Sequence, residues 1–266
     1  MKAALFEKKT AFQYNKVMKI SACIITYNEE DRIEGALESL KDVVDEIIVV
    51  DACSTDRTPQ ILQSHNVKFF QRKWEGYSSQ KNFAISQASY PWILSIDADE
   101  RLSAELRKEI LQLKEIEPNV DAFRIKRKNF YLGKWIRHSG WYPDRKVRLF
   151  RKEKAHWEGD FVHERLVIKG RIKDLKGEIL HYSYRNLSDN VLRIERYSNL
   201  SAEKMWREGK RSSYLKIFFL PFFTFLRRFI FQGGFLDGIH GLIISFFSSY
   251  YVFLKFAKLY ELQRKR

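Results

Sequence analysis

Over its first hundred residues the chain repeats one pattern: a short apolar run that stops at a polar or acidic residue, then an amphipathic stretch, then another apolar run. Ile20 to Thr26 is apolar almost without interruption, as expected of a strand buried on both faces of a parallel sheet. Ile33, Leu37 and Leu40 then share one helical face, and Glu46 to Asp51 is a second strand. Ala52 to Pro59 reads as a loop entering a helix, with Asp56 or Thr58 as N-cap and Pro59 at the first helical position. Val67 to Phe70 is a third strand, residues 78–88 a helix, and Trp92 to Asp97 a fourth strand. The alternation predicts an α/β fold with a Rossmann-like, mostly parallel sheet flanked by helices, in which ligands bind outside the carboxyl ends of the strands. Thr26 with Asn28, Asp51, and Asp97 with Asp99 stand at three of those ends.

Asp97-Ala98-Asp99-Glu100 places two carboxylates at i and i+2, which point the same way in extended chain and repel one another. A solvated turn accommodates such a pair, and so does a Mg²⁺ or Mn²⁺ ion shared with substrate phosphate oxygens. Four segments in this order, Ile24-Ile25-Thr26-Tyr27-Asn28-Glu29-Glu30, Val49-Val50-Asp51-Ala52-Cys53-Ser54-Thr55-Asp56-Arg57-Thr58, Gln80-Lys81-Asn82 and Asp97-Ala98-Asp99-Glu100, resemble the nucleotide-binding half of glycosyltransferase family 2, a GT-A fold. From about residue 19 to its end the chain is similar to the bacterial lipopolysaccharide core glucosyltransferases. The resemblance implies a nucleotide-sugar donor, in the first place a UDP-sugar. It sets Thr26, Tyr27, Asn28 and Glu29 around the nucleotide, with Asp51 accepting from a ring nitrogen of the base. It brings Lys81 to the diphosphate, gives Asn82 the holding of the loop, turns Asp97 to the ribose or metal, and makes Asp99 the direct ligand of Mg²⁺ or Mn²⁺. Ala52-Cys53-Ser54 departs from the family's usual Asp or Gly-Ser at that place, while Asp51 itself is kept.

Past residue 120, basic and aromatic side chains alternate in Phe123 to Lys128 and in Lys146 to Phe150, which predicts half-exposed strands facing a polar ligand. Between them, Trp135 to Pro143 mixes aromatics with Arg137, a set able to stack on sugar and pair with phosphate, or simply to pack. Sugar transfer to a hydroxyl needs a group that takes the acceptor proton. Glu164, in an acidic segment after Gly159, is the expected base, with Asp160 as rival; a surface salt bridge to Arg165 or Lys154 is the plainer role for either. His181, by the resemblance, completes the metal shell with Asp97 and Asp99; an ordinary hydrogen-bonded core histidine is the alternative.

Lys and Arg number 48 against 33 Asp and Glu, a formal charge of +15 that attracts phosphate-rich partners. With the motifs above, those partners are expected to be a nucleotide-sugar, a lipid-linked glycan acceptor and an anionic membrane surface, not nucleic acid. Residues 214–256 are rich in Phe and Tyr and broken by Lys216, Pro221, Arg227 and Arg228, so they predict two helices lying in the membrane interface and joined at Gly233 and Gly234. The expected organisation is an extension over 1–18, a GT-A domain over 19–210 (donor half 19–118, acceptor half 119–210), and an amphipathic helical membrane-association tail over 211–266. Cys23 and Cys53 show no CxxC spacing, and the amino terminus lacks the apolar run of a signal peptide. The chain is therefore expected to work peripherally on the cytoplasmic face of a bacterial inner membrane. A nucleotidyltransferase would share the doubly wound sheet and the carboxylate-bound ion, but Thr26-Tyr27-Asn28-Glu29 is not a glycine-rich phosphate loop. A non-catalytic basic membrane adaptor is the remaining alternative.

Overall fold

The computed structural model describes residues 18–159 and 164–265, which form two compact units. The first comprises the chain up to Lys126 together with Arg145–Leu180, and the second Arg127–Asp144 together with His181 onward. This division differs from the boundary near 210 expected from composition. The segment 127–144 and the long helix after it belong with the tail, because their apolar residues pack there. Met18, expected at the end of an extension, is buried in the core, and its N–H donates to Lys114 O at 3.1 Å.

In the first unit β1 (Ile20–Thr26), β2 (Glu46–Asp51), β3 (Lys68–Gln71) and β4 (Trp92–Asp97) are parallel, in the order β3-β2-β1-β4. The intervening helices α1 (Ile33–Leu40), α2 (Thr58–Ser64) and α3 (Tyr77–Ser86) supply the crossovers that parallel pairing requires. The sheet continues past β4 as β8 (Asp144–Arg151), β6 (Ala122–Tyr131), β11 (Ile172–Tyr182) and β5 (Glu100–Leu102), with β7 (Lys134–Trp135) on β6. It is mixed beyond β4, since β8 runs antiparallel to β4. A separate ribbon pairs β9 (Ala155–Glu158) with β10 (Arg165–Ile168).

Helices cover both faces of the sheet, which explains why the strands read as unbroken apolar runs. Ile20, Ile24 and Val49 pack with Ile33 and Leu37 of α1 and with Leu106 and Ile110 of α4 (Ala104–Lys114). Cys23, Ile48, Val50 and Ile93 pack on the other face with Ala84 and Ile85 of α3, Phe150 and Trp157. Each such aliphatic side chain contributes about 1.5–3 kcal/mol on leaving water. Gly177 lets β11 approach α4 closely, because a Cβ there would overlap the Leu106 backbone. The α2 start is shifted from expectation: Thr58 is already helical, and Asp56 Oδ1 accepts from its N–H at 2.9 Å.

In the second unit α5 (Leu187–Arg207), α6 (Tyr214–Leu226) and α7 (Ile239–Arg264) pack together. Lys258 Nζ donates to Ser198 Oγ at 2.7 Å, Ser201 and Tyr251 share a hydrogen bond of 2.8 Å, and Ser249 Oγ donates to Pro221 O at 2.8 Å. A π-turn and Gly233, Gly234 and Gly238 join α6 to α7, and a Cβ on Gly241 would overlap the Gly234 carbonyl. Asp237, buried in this turn, accepts backbone N–H groups of Arg137 at 3.2 Å and His138 at 2.8 Å. Tyr131, Ile136 and Ile244 form the unit's core. Many side chains left outside are apolar: Phe218 is 73% and Phe231 82% exposed, and Pro221 is the buried residue of α6. The expected helical tail is present, and much of its outward surface is aromatic. α7, at 26 residues, is long and apolar enough to cross a membrane by length and composition.

Candidate active site

The ends of β1 and β2 carry two loops that hold each other in place. Asn28 takes a positive φ of 54°, its N–H donates to Ser54 Oγ at 2.8 Å, and its Oδ1 accepts from Thr55 N at 2.8 Å. Glu29 N donates to Thr58 Oγ1 at 2.9 Å, Glu30 N to Asp56 Oδ2 at 3.1 Å, and Arg57 N to Glu30 Oε2 at 3.0 Å. The two segments thus satisfy one another's backbone donors with short polar side chains, which is why they are rich in Asn, Ser, Thr and Asp. Asp51 is buried beneath them and accepts from the Ser54 N–H at 2.9 Å and from the Ser54 hydroxyl. In this arrangement it orders the turn that was expected to read a base. Thr26 is buried, with no hydrogen-bond partner for its hydroxyl, while Tyr27 is 56% exposed at the same edge.

The end of β4 is a charge cluster. Arg148 of β8, 4% exposed, donates from Nη2 to Asp97 Oδ2 at 2.7 Å and to Glu100 Oε1 at 2.5 Å. Glu100 is buried and its Oε2 accepts from Asp97 N at 3.0 Å, closing the turn through Ala98. Burial works against the charge on Arg148, but Asp97 and Glu100 outweigh it and hold the guanidinium above its ordinary pKa. Lys81 of α3, 6% exposed, lies 3.2 Å from Asp97 Oδ1 and 3.3 Å from Glu164 Oε1, over the Trp157 ring at 4.3 Å. Asn82 clamps β9 through both its amide atoms, donating to Trp157 O at 2.8 Å and accepting from Trp157 N at 2.9 Å. Asp99 Oδ2 is 3.6 Å from Arg32 Nη1, and Arg32, also buried, is 3.7 Å from Glu29.

Lys81 therefore joins the carboxylate at the strand end to the expected base. Of the surface partners considered for Glu164, Arg165 pairs with Glu158 at 3.1 Å and Lys154 lies 3.8 Å from Glu153. Asp160, the rival base, lies outside the described residues. His181 belongs to the second unit. Asn129 Nδ2 donates to Trp141 O at 2.9 Å, so Asn129 Oδ1 faces the ring, and His181 Nδ1 must donate to it at 2.6 Å. Among the described residues no three His, Cys, Asp or Glu side chains are grouped for one ion. The repulsion between Asp97 and Asp99, which the sequence assigned to a metal ion to relieve, is met by Lys81, Arg148 and Arg32. Mg²⁺ needs only one or two carboxylates when substrate phosphates complete its oxygen set. Asp97 and Asp99 fit an ion arriving with a diphosphate, and do not fit a protein-only cage.

Arg148, Glu100 and Arg32 were not singled out in the sequence. Arg148 shares strand parity with Phe150, which faces the core, and that parity was the available signal for an inward arginine. Nothing local marks Arg32 as meeting Asp99, which is distant in sequence.

The family model described as Glycosyl transferase family 2 matches residues 21–175. The chain is 33% identical over 251 residues to the lipopolysaccharide core biosynthesis glycosyltransferase LpsC of Rhizobium meliloti (strain 1021), spanning 92% of this chain and 93% of that one. It is 34% identical over 258 residues to the uncharacterized glycosyltransferase RT0209 of Rickettsia typhi (strain ATCC VR-144 / Wilmington), spanning 93% and 88% respectively. The crystal structure of S. aureus TarS 1-349 in complex with UDP-GlcNAc aligns with a TM-score of 0.46 at 18% identity, covering 93% of this chain and 92% of that one.

Proposed function

This chain belongs to glycosyl transferase family 2, and on that premise we propose that it moves a sugar from a UDP-sugar to a hydroxyl of a lipopolysaccharide-core or other lipid-linked glycan, with inversion at the anomeric carbon. The observation that carries the reading is Lys81, whose ammonium contacts both Asp97 and Glu164 and so draws a donor-side carboxylate and a base into one site. In the working arrangement Tyr27 lies against the base of the nucleotide, the Thr26 hydroxyl and Asn28 bond to its edge, Glu29 and Asp51 hold the loops that carry them, and Asp97 bonds to the ribose. Lys81 turns toward the diphosphate and frees Glu164, which takes the proton from the acceptor hydroxyl as the new glycosidic bond forms. Asn82 keeps β9, and with it the approach to Glu164, in register with α3. Asp99, with Asp97, would hold Mg²⁺ or Mn²⁺, and the ion would supply positive charge against the diphosphate. Arg148 and Arg32 hold these carboxylates in place.

The acceptor class is supported by the likeness to LpsC and by the aromatic outward surface of α6 and α7, which matches the interface of a membrane with anionic lipids. The chain then works peripherally, on the cytoplasmic face of the inner membrane. The length of α7 favours a second arrangement, a single crossing. Extraction of membranes with alkaline carbonate separates the two, since only a crossing helix resists it.

The decisive experiment compares two variants in transfer from UDP-sugars and in thermal shift with UDP and Mn²⁺. Glu164→Gln keeps the nucleotide shift and loses turnover by about 10²–10⁴, the usual worth of a positioned base. Asp99→Ala loses the Mn²⁺-dependent part of the shift together with transfer. A fully active Glu164→Gln enzyme would transfer the role of base to Asp160 and overturn the reading built on Lys81.

A further inference from the structure

A second concentration of positive charge lies in the first unit. Strands β6, β8 and β11 each turn basic side chains to one face, while Phe123, Ile125 and Leu175 go to the core. There Arg124, Lys126, Arg145, Asp174 and Lys176 line a cavity of about 200 Å³. Arg124 grips Asp174 with both forks, Nε to Oδ1 at 2.7 Å and Nη2 to Oδ2 at 3.2 Å, and Arg145 Nη1 reaches Oδ2 at 3.1 Å. With Lys126 nearby, these groups hold the Asp174 carboxyl below its ordinary range.

One carboxylate thus orients two guanidinium groups while four cations line the cavity, leaving three positive charges in excess. Lys126 acts on Asp174 through its charge without a close ion pair, and Lys176 lines the same cavity. Nη1 of Arg124 and Nη2 of Arg145 remain as donors after Asp174 is served. Preset guanidinium forks with flanking ammonium groups match the tetrahedral oxygens of a phosphate, which accepts several charge-assisted hydrogen bonds at once. Four cations on adjacent strands repel one another, and the single Asp174 carboxylate among them offsets one charge.

We propose that this basic cavity is a phosphate-binding site, distinct from the cluster at Asp97, that takes the phosphate group of a phospholipid headgroup or of a phosphorylated glycan. The inference does not rest on the donor and acceptor assigned above.

The test titrates the full chain with inorganic phosphate at constant ionic strength, reading the melting temperature, with chloride as reference. Wild type is compared with the double variant Lys126→Ala, Lys176→Ala and with Lys81→Ala, which alters the other cluster. The proposal expects the double variant to need about tenfold more phosphate for half its shift, a change of about 1.4 kcal/mol, and a phosphate response to persist in Lys81→Ala. Phosphatidylcholine vesicles containing phosphatidic acid then separate the sources. Release of bound wild type by inorganic phosphate, with weaker binding of the double variant, identifies a headgroup. Vesicle binding indifferent to both, alongside the altered titration, identifies a glycan phosphate. A double variant that titrates like wild type, a chloride response equal to that of phosphate, or loss of the phosphate shift in Lys81→Ala alone overturns the site.

Discussion

Strand β1 and helix α6 are both written mostly in apolar letters, yet the protein treats them in opposite ways. In β1 every residue but Ile25 is buried; in α6, almost twice as long, Pro221 alone is. The polar groups differ in the same sense. At the strand ends of the first unit, backbone donors and carboxylates find partners in neighbouring loops, whereas in α6 the exposed surface offers Phe218, Phe222 and Phe223 and few polar groups. Hydrophobicity therefore states that a segment leaves water, not where it goes. A strand with helices on both faces goes into a core; a helix with too few neighbours leaves its apolar surface exposed.

The contrast can be broken most severely where the first unit buries charge. Arg148→Met leaves Glu100 buried without its cation, and a loss of about 3–5 kcal/mol is expected in urea unfolding. A variant within about 1 kcal/mol of wild type would mean that Glu100 finds water or another partner. Ile24→Ala tests the apolar side of the same unit. It removes a fully buried side chain at the centre of the sheet and should cost about 2–5 kcal/mol, measured in the same way.

A smaller effect belongs to the rim of the core. Asp45 is partly buried, which opposes its charge, but it accepts from Ile20 N at 2.9 Å and pairs with Lys114 and Lys19, so its pKa is lowered in the folded chain. A carboxyl lowered by folding binds its proton more readily when unfolded. Its contribution is present above the unfolded pKa, near 3.8, and lost as pH falls through the folded one. Wild type should lose stability relative to Asp45→Asn over that acid window, and the two curves should run parallel above about pH 6. Parallel curves throughout would show that the ion pairs contribute nothing.

The smallest change in folding stability is expected where the apolar surface is largest. Phe218→Ala and Phe222→Ala should shift urea unfolding by less than about 0.5 kcal/mol, because neither ring is withdrawn from water by the fold. Both should weaken flotation with anionic vesicles, where burial of a ring is worth about 1.5–3 kcal/mol. A large unfolding effect with no change in flotation would assign these rings to the core. Truncation near 210 is a poor test of the tail, because α5 would lose its bonds from α7 at Ser198 and Ser201 and expose its packing face.

The positions of β1 to β4, the two interlocked loops and the carboxylates at the strand ends were legible in the sequence, because each depends on local pattern: strands covered on both faces are apolar runs, and loops that cap one another need short polar side chains. The family resemblance rested on those same segments. Other features depend on residues far apart in the chain. That Lys81 bridges Asp97 and Glu164, that Arg148 and Arg32 answer the carboxylates, that Asp51 serves Ser54, and that helix α5 packs on α7 required the folded chain. An ionic partner leaves no periodicity behind, and an arginine reads the same in a strand whether it faces water or a buried glutamate. The pattern of letters determined which segments become strands and where charge collects. Which charges meet was decided by the tertiary structure, since Coulomb attraction acts through space and depends on burial that only the assembled sheet provides.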